Sequence, residues 1–222
     1  MTEQKNFIPA LKYDWLTKFY DPVLQLTMPE RKFKKALIDK MRIERGYRVL
    51  DFGCGSLTLS LMAAQMYPEA EYYGVDIDEK ILAIASRKMA AANKHVLIQH
   101  YDGTKLPYPD NYFDRVMSSL VFHHLTLRQK YAVLEDIYRI LKPGGEVHIA
   151  DFGQPSNVLQ RIGFYTVQLL DGFETTNDSV KNTLPKALKE NDFSDVEEKG
   201  VFKTLVGTVR LVKAVKPVNS IL

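Results

Sequence analysis

From Tyr47 onward, short apolar runs alternate with longer stretches whose apolar residues recur every three or four positions. The short runs predict strands and the longer stretches predict helices. Residues 49–52 (VLDF) read as a first strand, and 57–66 as a helix ending before Pro68. Residues 72–75 read as a second strand, 79–92 as an alanine-rich helix and 96–100 as a third strand. A fourth strand over 113–120, a helix over 127–141 and a fifth strand over 146–151 complete the alternation, with Gly144 and Gly145 in a turn before the last. Such alternation predicts an α/β fold, a parallel sheet with helices on both faces. Beyond residue 155 the pattern changes. Val158, Leu159, Ile162, Tyr165, Leu169, Leu170 and Phe173 are spaced for one helix over 156–173. A second helix over 180–189 would be interrupted by Pro185. The tail alternates in period two around Val206 and Gly207, predicting an antiparallel pair at the sheet edge. Residues 1–46 look helical and partly amphipathic, broken by Pro22 and Pro29.

Ligands of parallel sheets lie outside the carboxyl ends of the strands. Asp51, Asp76, Asp102, Ser118, Ser119 and Asp151 all fall there. The segment YRVLDFGCGSLT carries Asp51 at the end of the first strand, then Gly53 and Gly55 at alternate positions. Asp76 closes the second strand. A glycine turn lets backbone approach a ligand, and an acid after the second strand can accept from ribose hydroxyls. Either acid, and Asp102 in YDGTKLP, could instead cap its own turn.

Composition narrows the function classes. The 222 residues, 45% hydrophobic, suit a single globular domain with lid segments. The net charge of +3 is too mild to imply nucleic acid. Basic residues cluster at Arg31, Lys32, Lys34, Lys35, Lys40, Arg42, Arg45 and Arg48. They read as a solvated helix face, with peripheral contact to an anionic membrane as the alternative. The lone cysteine, Cys54, excludes an intrachain disulfide and a cysteine zinc cluster. Its place between two glycines suits packing better than nucleophilic chemistry. The N-terminus lacks a signal-peptide layout, and no apolar run approaches the roughly 18 residues that span a bilayer. A cytoplasmic protein is the expectation.

Four ordered segments, VLDFGCGS, YYGVDID, YDGTKLPYPDNYFDRVMSSLVFHHL and RILKPGGEVHIADF, resemble the class I S-adenosylmethionine-dependent methyltransferases, most of all the quinone-biosynthesis and small-molecule group. The resemblance covers residues 40–155 and, by topology, the C-terminal strands. It implies a Rossmann-like seven-stranded, mostly parallel sheet with an antiparallel C-terminal strand and helical lids. Residues 1–45 would be an N-terminal lid, 46–155 the cofactor core, 156–190 a substrate lid and 191–222 the closing strands. The resemblance implies S-adenosylmethionine as cofactor and S-adenosylhomocysteine as product. Asp51 would face the ammonium, and Gly53, Cys54 and Gly55 would meet the carboxylate. Asp76 would take the ribose, Ile77 the adenine ring, Asp102 and Gly103 the adenine amino group, and Ser119 the sulfonium side. From the N-terminal segment, Tyr13 and Tyr20 are candidates to line the pocket. Trp15, Phe19, Phe164 and Tyr165, with Phe173, would bound a small, partly apolar acceptor, quinone-like or lipid-like. His123, His124 and Asp151 are base candidates should the acceptor have to lose a proton, with His123 also a pocket wall. Adjacent histidines in a strand-like segment point opposite ways, so no metal site is expected.

Leu57 departs from the family pattern, standing where a third glycine is usual. It would add bulk at the helix start and resist a positive φ, weakening or displacing the cofactor. Two other readings compete. An NAD-dependent oxidoreductase shares the turn and the ribose acid, but its third glycine position holds Thr58. A non-catalytic binding module of the same fold draws on Leu57. No base-flipping motif points to nucleic acid. The acceptor's identity and the oligomeric state are left open.

Overall fold

A computed structural model describes residues 29–218. Helix α1 (Glu30–Met41) leads into β1 (Arg48–Phe52), α2 (Thr58–Met66), β2 (Glu71–Asp76), α3 (Glu79–Ala92), β3 (Leu97–His100) and β4 (Phe113–Ser119). A single 3₁₀ turn, Phe122–His124, precedes α4 (Leu127–Ile140) and β5 (Leu141–Phe152). Helices α5 (Val158–Asp171), α6 (Phe173–Val180) and α7 (Leu184–Glu190) follow, then β6 (Ser194–Thr204) and β7 (Gly207–Val215). The seven strands pair in the order β3-β2-β1-β4-β5-β7-β6. The first five are parallel, and β7 runs antiparallel between β5 and β6.

The period-two pattern of the strands splits the core between the two faces. Val49, Tyr72, Met117 and Ala150 point to one face, beneath α1, α2, α3 and α5. Leu50, Tyr73, Val75, Val116 and Ile149 point to the other, beneath α4 and α7. Strands buried on both sides read as continuous apolar runs, which made them legible.

Three predicted elements come out differently. The single helix expected over 156–173 ends at Gly172, whose φ of +94° breaks it into α5 and α6. Pro185 opens α7 rather than interrupting a longer helix, because the first turn needs no amide donor. The fifth strand starts earlier than expected, at Leu141, and takes in the Gly144–Gly145 turn as an irregularity. Leu141 pairs with Phe113, and pairing resumes only at Glu146 with Arg115. In the basic run, Arg31, Lys32, Lys35, Lys40 and Arg42 are exposed as expected, but Lys34 is buried and paired with Glu30.

Candidate active site

The turn after β1 is tied to β2 by its backbone. Gly53 and Cys54 both donate to the Val75 carbonyl, at 2.9 and 3.0 Å. Gly53 has φ +69°, and a Cβ there would sit 2.4 Å from Val121 Cγ2. No side chain fits, which accounts for that glycine. Gly55 (φ +50°) donates its amide to Asp76 Oδ2 at 2.8 Å. Asp76 Oδ1 accepts from the Asp78 amide at 3.0 Å. Asp76 thus braces the turn, and a carboxylate has lone pairs left for further donors.

Leu57 does adopt the left-handed conformation, with φ +64°. Its side chain is fully buried beneath the turn, pointing into the core, where a Cβ on Gly74 would be 3.2 Å from Leu57 Cδ2 and 3.0 Å from Cys54 Sγ. The expected bulk at the helix start therefore falls inside the fold, away from the outer side of the turn. The missing side chain of Gly74 leaves it room. Burial pushes the Cys54 thiol well above its usual pKa, in keeping with packing.

Asp51 lies on the α1–α2 face of the sheet, 1% exposed, and accepts from Ser60 Oγ at 2.5 Å. Burial raises its pKa to about 6, against the lowering effects of Ser60 and Lys34. Ser60 was not singled out in the sequence, although its place in the first turn of α2 sets it against the sheet. Asp102 Oδ1 accepts from the Thr104 amide at 2.8 Å and from its hydroxyl, the turn role the sequence left open. A Cβ on Gly103 (φ +81°) would lie 3.4 Å from Ile77 Cδ1, and Ile77 is 37% exposed. Ser119 ends β4. Its Oγ is buried with no hydrogen-bond partner among the described residues. An orphaned buried hydroxyl costs free energy, so it marks a place for a ligand or water.

Beyond Ser119, Leu120 takes φ +59° and the chain enters the 3₁₀ turn. That turn corrects the expectation for the histidine pair. Successive residues of a 3₁₀ helix are about 120° apart rather than opposed, and the rings of His123 and His124 lie 4.0 Å apart. His123 Nδ1 is 2.6 Å from Asp151 Oδ1. Asp151 Oδ2 accepts from the amides of Val121 (3.0 Å) and Phe122 (2.6 Å). Burial pushes the Asp151 pKa up, but His123, the Phe152 amide and His124 pull it further down, below the usual range. Burial lowers His124 to about 3, helped by His123. Nearby, the buried Lys130 donates to the Thr175 carbonyl at 3.0 Å and lies 3.6 Å from Asp178, tying α4 to α6. Its signal was a lysine on the apolar face of α4, in step with Val133, Leu134 and Ile137.

Asp51, Gly53, Cys54, Gly55, Asp76, Ile77, Asp102, Gly103 and Ser119 therefore gather at the carboxyl ends of β1 to β4. The substrate-side candidates scatter. Phe164 is a core residue, fully buried with its ring 5.2 Å from Phe152. Tyr165 is 45% exposed on the outer side of α5, under Arg161 at 4.1 Å. Tyr13, Trp15, Phe19 and Tyr20 lie outside the described residues. Among the described residues there is no cluster of three metal-ligating side chains, and no helix long and apolar enough to cross a membrane.

Residues 49–145 match the family described as a methyltransferase domain. A demethylmenaquinone methyltransferase of Listeria monocytogenes is 35% identical over 127 residues, 56% of this chain and 53% of that one. One from Symbiobacterium thermophilum is 30% identical over 168 residues, 73% of this chain and 66% of that one. The chain thus spans about half the length of the first of these curated relatives. In fold it resembles the Haemonchus contortus phosphoethanolamine N-methyltransferase 2 solved with S-adenosyl-L-methionine, with TM-score 0.68 and 21% identity over 84% of this chain and 52% of that one. With the sheet order, the glycine turn and the paired acids, these matches place the chain in the class I S-adenosylmethionine-dependent methyltransferase family.

Proposed function

We propose that this protein transfers a methyl group from S-adenosylmethionine to a small, partly apolar acceptor of the quinone class. The observation that carries the reading is the convergence of Asp51, the Gly53–Gly55 turn, Asp76 and the Ser119 hydroxyl, unpaired among the described residues, at adjacent strand ends. The acceptor class follows the demethylmenaquinone methyltransferases that the chain resembles. When bound, S-adenosylmethionine supplies a methyl group on a positively charged sulfur. The chain's own work is to hold, orient and exclude water. Asp51 would pair with the ammonium, Asp76 with the ribose hydroxyls and Ile77 with the adenine face. Ser119 would gain the partner it lacks.

A hydroxylated aromatic acceptor becomes a better nucleophile on losing a proton. His123 would take that proton. Asp151, held ionised, accepts from Nδ1 and so keeps the basic lone pair on Nε2. Burial lowers the pKa of His124 to about 3, which makes it a poor base at neutral pH.

Calorimetric titration with S-adenosylmethionine, S-adenosylhomocysteine, NAD and NADP tests the cofactor. Transfer of labelled methyl to short-tailed naphthoquinols and benzoquinols, with phosphoethanolamine as comparison, tests the acceptor. Binding of the first two ligands and labelling of the quinols is expected, with His123→Asn lowering kcat while cofactor affinity holds. Binding of NAD alone, or labelling of phosphoethanolamine alone, would overturn the reading.

A further inference from the structure

The amides that a glycine turn can offer to a cofactor carboxylate are spent in this chain. Gly53 and Cys54 donate to the Val75 carbonyl, Gly55 donates to Asp76 Oδ2, and Leu57 donates to the Cys54 carbonyl at 2.9 Å. An amino-acid end that brings an ammonium and a carboxylate together needs an acid and a separate donor side by side. Asp51 supplies the acid. The donor has to come from outside the turn.

We infer that Lys34 of α1 holds the carboxylate at the methionine end of S-adenosylmethionine and so selects cofactors that keep it. The inference rests on the reading of the cofactor and is independent of the acceptor. Lys34 departs from the solvated run around it. It is 8% exposed and lies on the inward stripe of α1 with Leu37, Ile38 and Met41. Lysine is rarely buried unless a charge meets it. The direction of α1 carries Lys34 to the ligand edge of the sheet. Met41, at the far end of the helix, accepts from Arg115 Nε at 2.8 Å, toward the amino end of β4. Lys34 lies two helical turns back, about 10 Å nearer the carboxyl ends. Its charge reaches two groups there. Burial dominates the pKa shifts of Asp51 and Lys88, and the Lys34 charge lowers both. Lys88 itself donates to Thr58 Oγ1, in the first turn of α2, at 2.6 Å. Among the described residues Asp51 and Lys34 are not in ion-pair contact, since Asp51 accepts from Ser60 and Lys34 pairs with Glu30. A carboxylate and an ammonium thus stand within electrostatic reach of each other with separate partners, the complement of a single amino-acid group. The Glu30 side chain is 35% exposed, so water can take it when a ligand carboxylate replaces it.

Calorimetry on the full chain with S-adenosylmethionine and its decarboxylated form, which differ only in the carboxylate, tests this. In Lys34→Met, affinity for S-adenosylmethionine should fall about ten- to a hundredfold while that for the decarboxylated form holds. Lys35→Met, at the exposed neighbour, should match the native chain with both ligands. Circular dichroism checks the folding of each variant. Equal loss of both ligands in Lys34→Met would overturn the inference, because the effect would then come through the fold or through Asp51. So would an unchanged affinity for S-adenosylmethionine, or a native chain that binds the two forms equally well. A native chain that binds neither would overturn the cofactor reading itself, and the inference with it.

Discussion

Asp51 has almost no solvent and one strong donor, Ser60. Its pKa near 6 means the folded chain keeps a proton that the unfolded chain releases near pH 3.8. Raised pKa in an acid makes folding stability fall as pH rises between these values, by about 3 kcal/mol at most. Asp51→Asn should remove that slope, and thermal unfolding measured across this pH range checks it. A bound ammonium reverses the preference by favouring the ionised carboxylate. Affinity for S-adenosylmethionine should therefore rise as pH rises toward about 6 and then level. Calorimetry should show the dependence flattened in Asp51→Asn. The acid itself was legible at a strand end. Its fully enclosed state was not, because that depends on α1 and α2 closing over it.

At the level of elements, the turn between β1 and α2 shows how a family pattern can be broken and repaired. A left-handed leucine costs about 1–2 kcal/mol. Complete burial of its side chain, beneath the turn and against Gly74, outweighs that. Leu57→Gly should relieve the strain yet lose the packing, lowering stability by roughly 1–3 kcal/mol. Cofactor affinity should hold, since the side chain does not reach the outer side of the turn. Denaturant unfolding paired with calorimetry separates the two effects. Gly53→Ala should instead cost both stability and cofactor affinity, because Val121 occupies the space. The same scale explains helices α5 and α6. Periodicity carried across residues 156–173, and only the positive φ of Gly172 ended the first helix.

Across the whole molecule, an ionic cluster joins the parallel strands to the antiparallel edge. Glu146 on β5 contacts His148 at 2.8 Å, Lys213 of β7 at 2.7 Å and Arg115 of β4 at 3.5 Å. Burial opposes its charge, but these three neighbours prevail and hold its pKa at about 2. A depressed acid stabilises the fold above its unfolded pKa and loses that contribution as pH falls through about 4.5 toward 2. Glu146→Gln should therefore lower stability at neutral pH by roughly 2–4 kcal/mol. It should also flatten acid unfolding between those values, as followed by circular dichroism.

Taken alone, the sequence determined the alternation of strands and helices, the glycine turn and the acids at the strand ends. Each of these is written in residues a few positions apart, through side-chain period and backbone freedom. Only the tertiary structure decided that Leu57 lies inside the core and that Asp151 reaches His123. It also moved Phe164 from an expected pocket wall into the core. These outcomes depend on residues far apart in the chain, brought together by a strand order in which β4 lies beside β1 and β7 beside β5. Local periodicity carries no record of that order, because the same alternating pattern satisfies each strand whatever its neighbour.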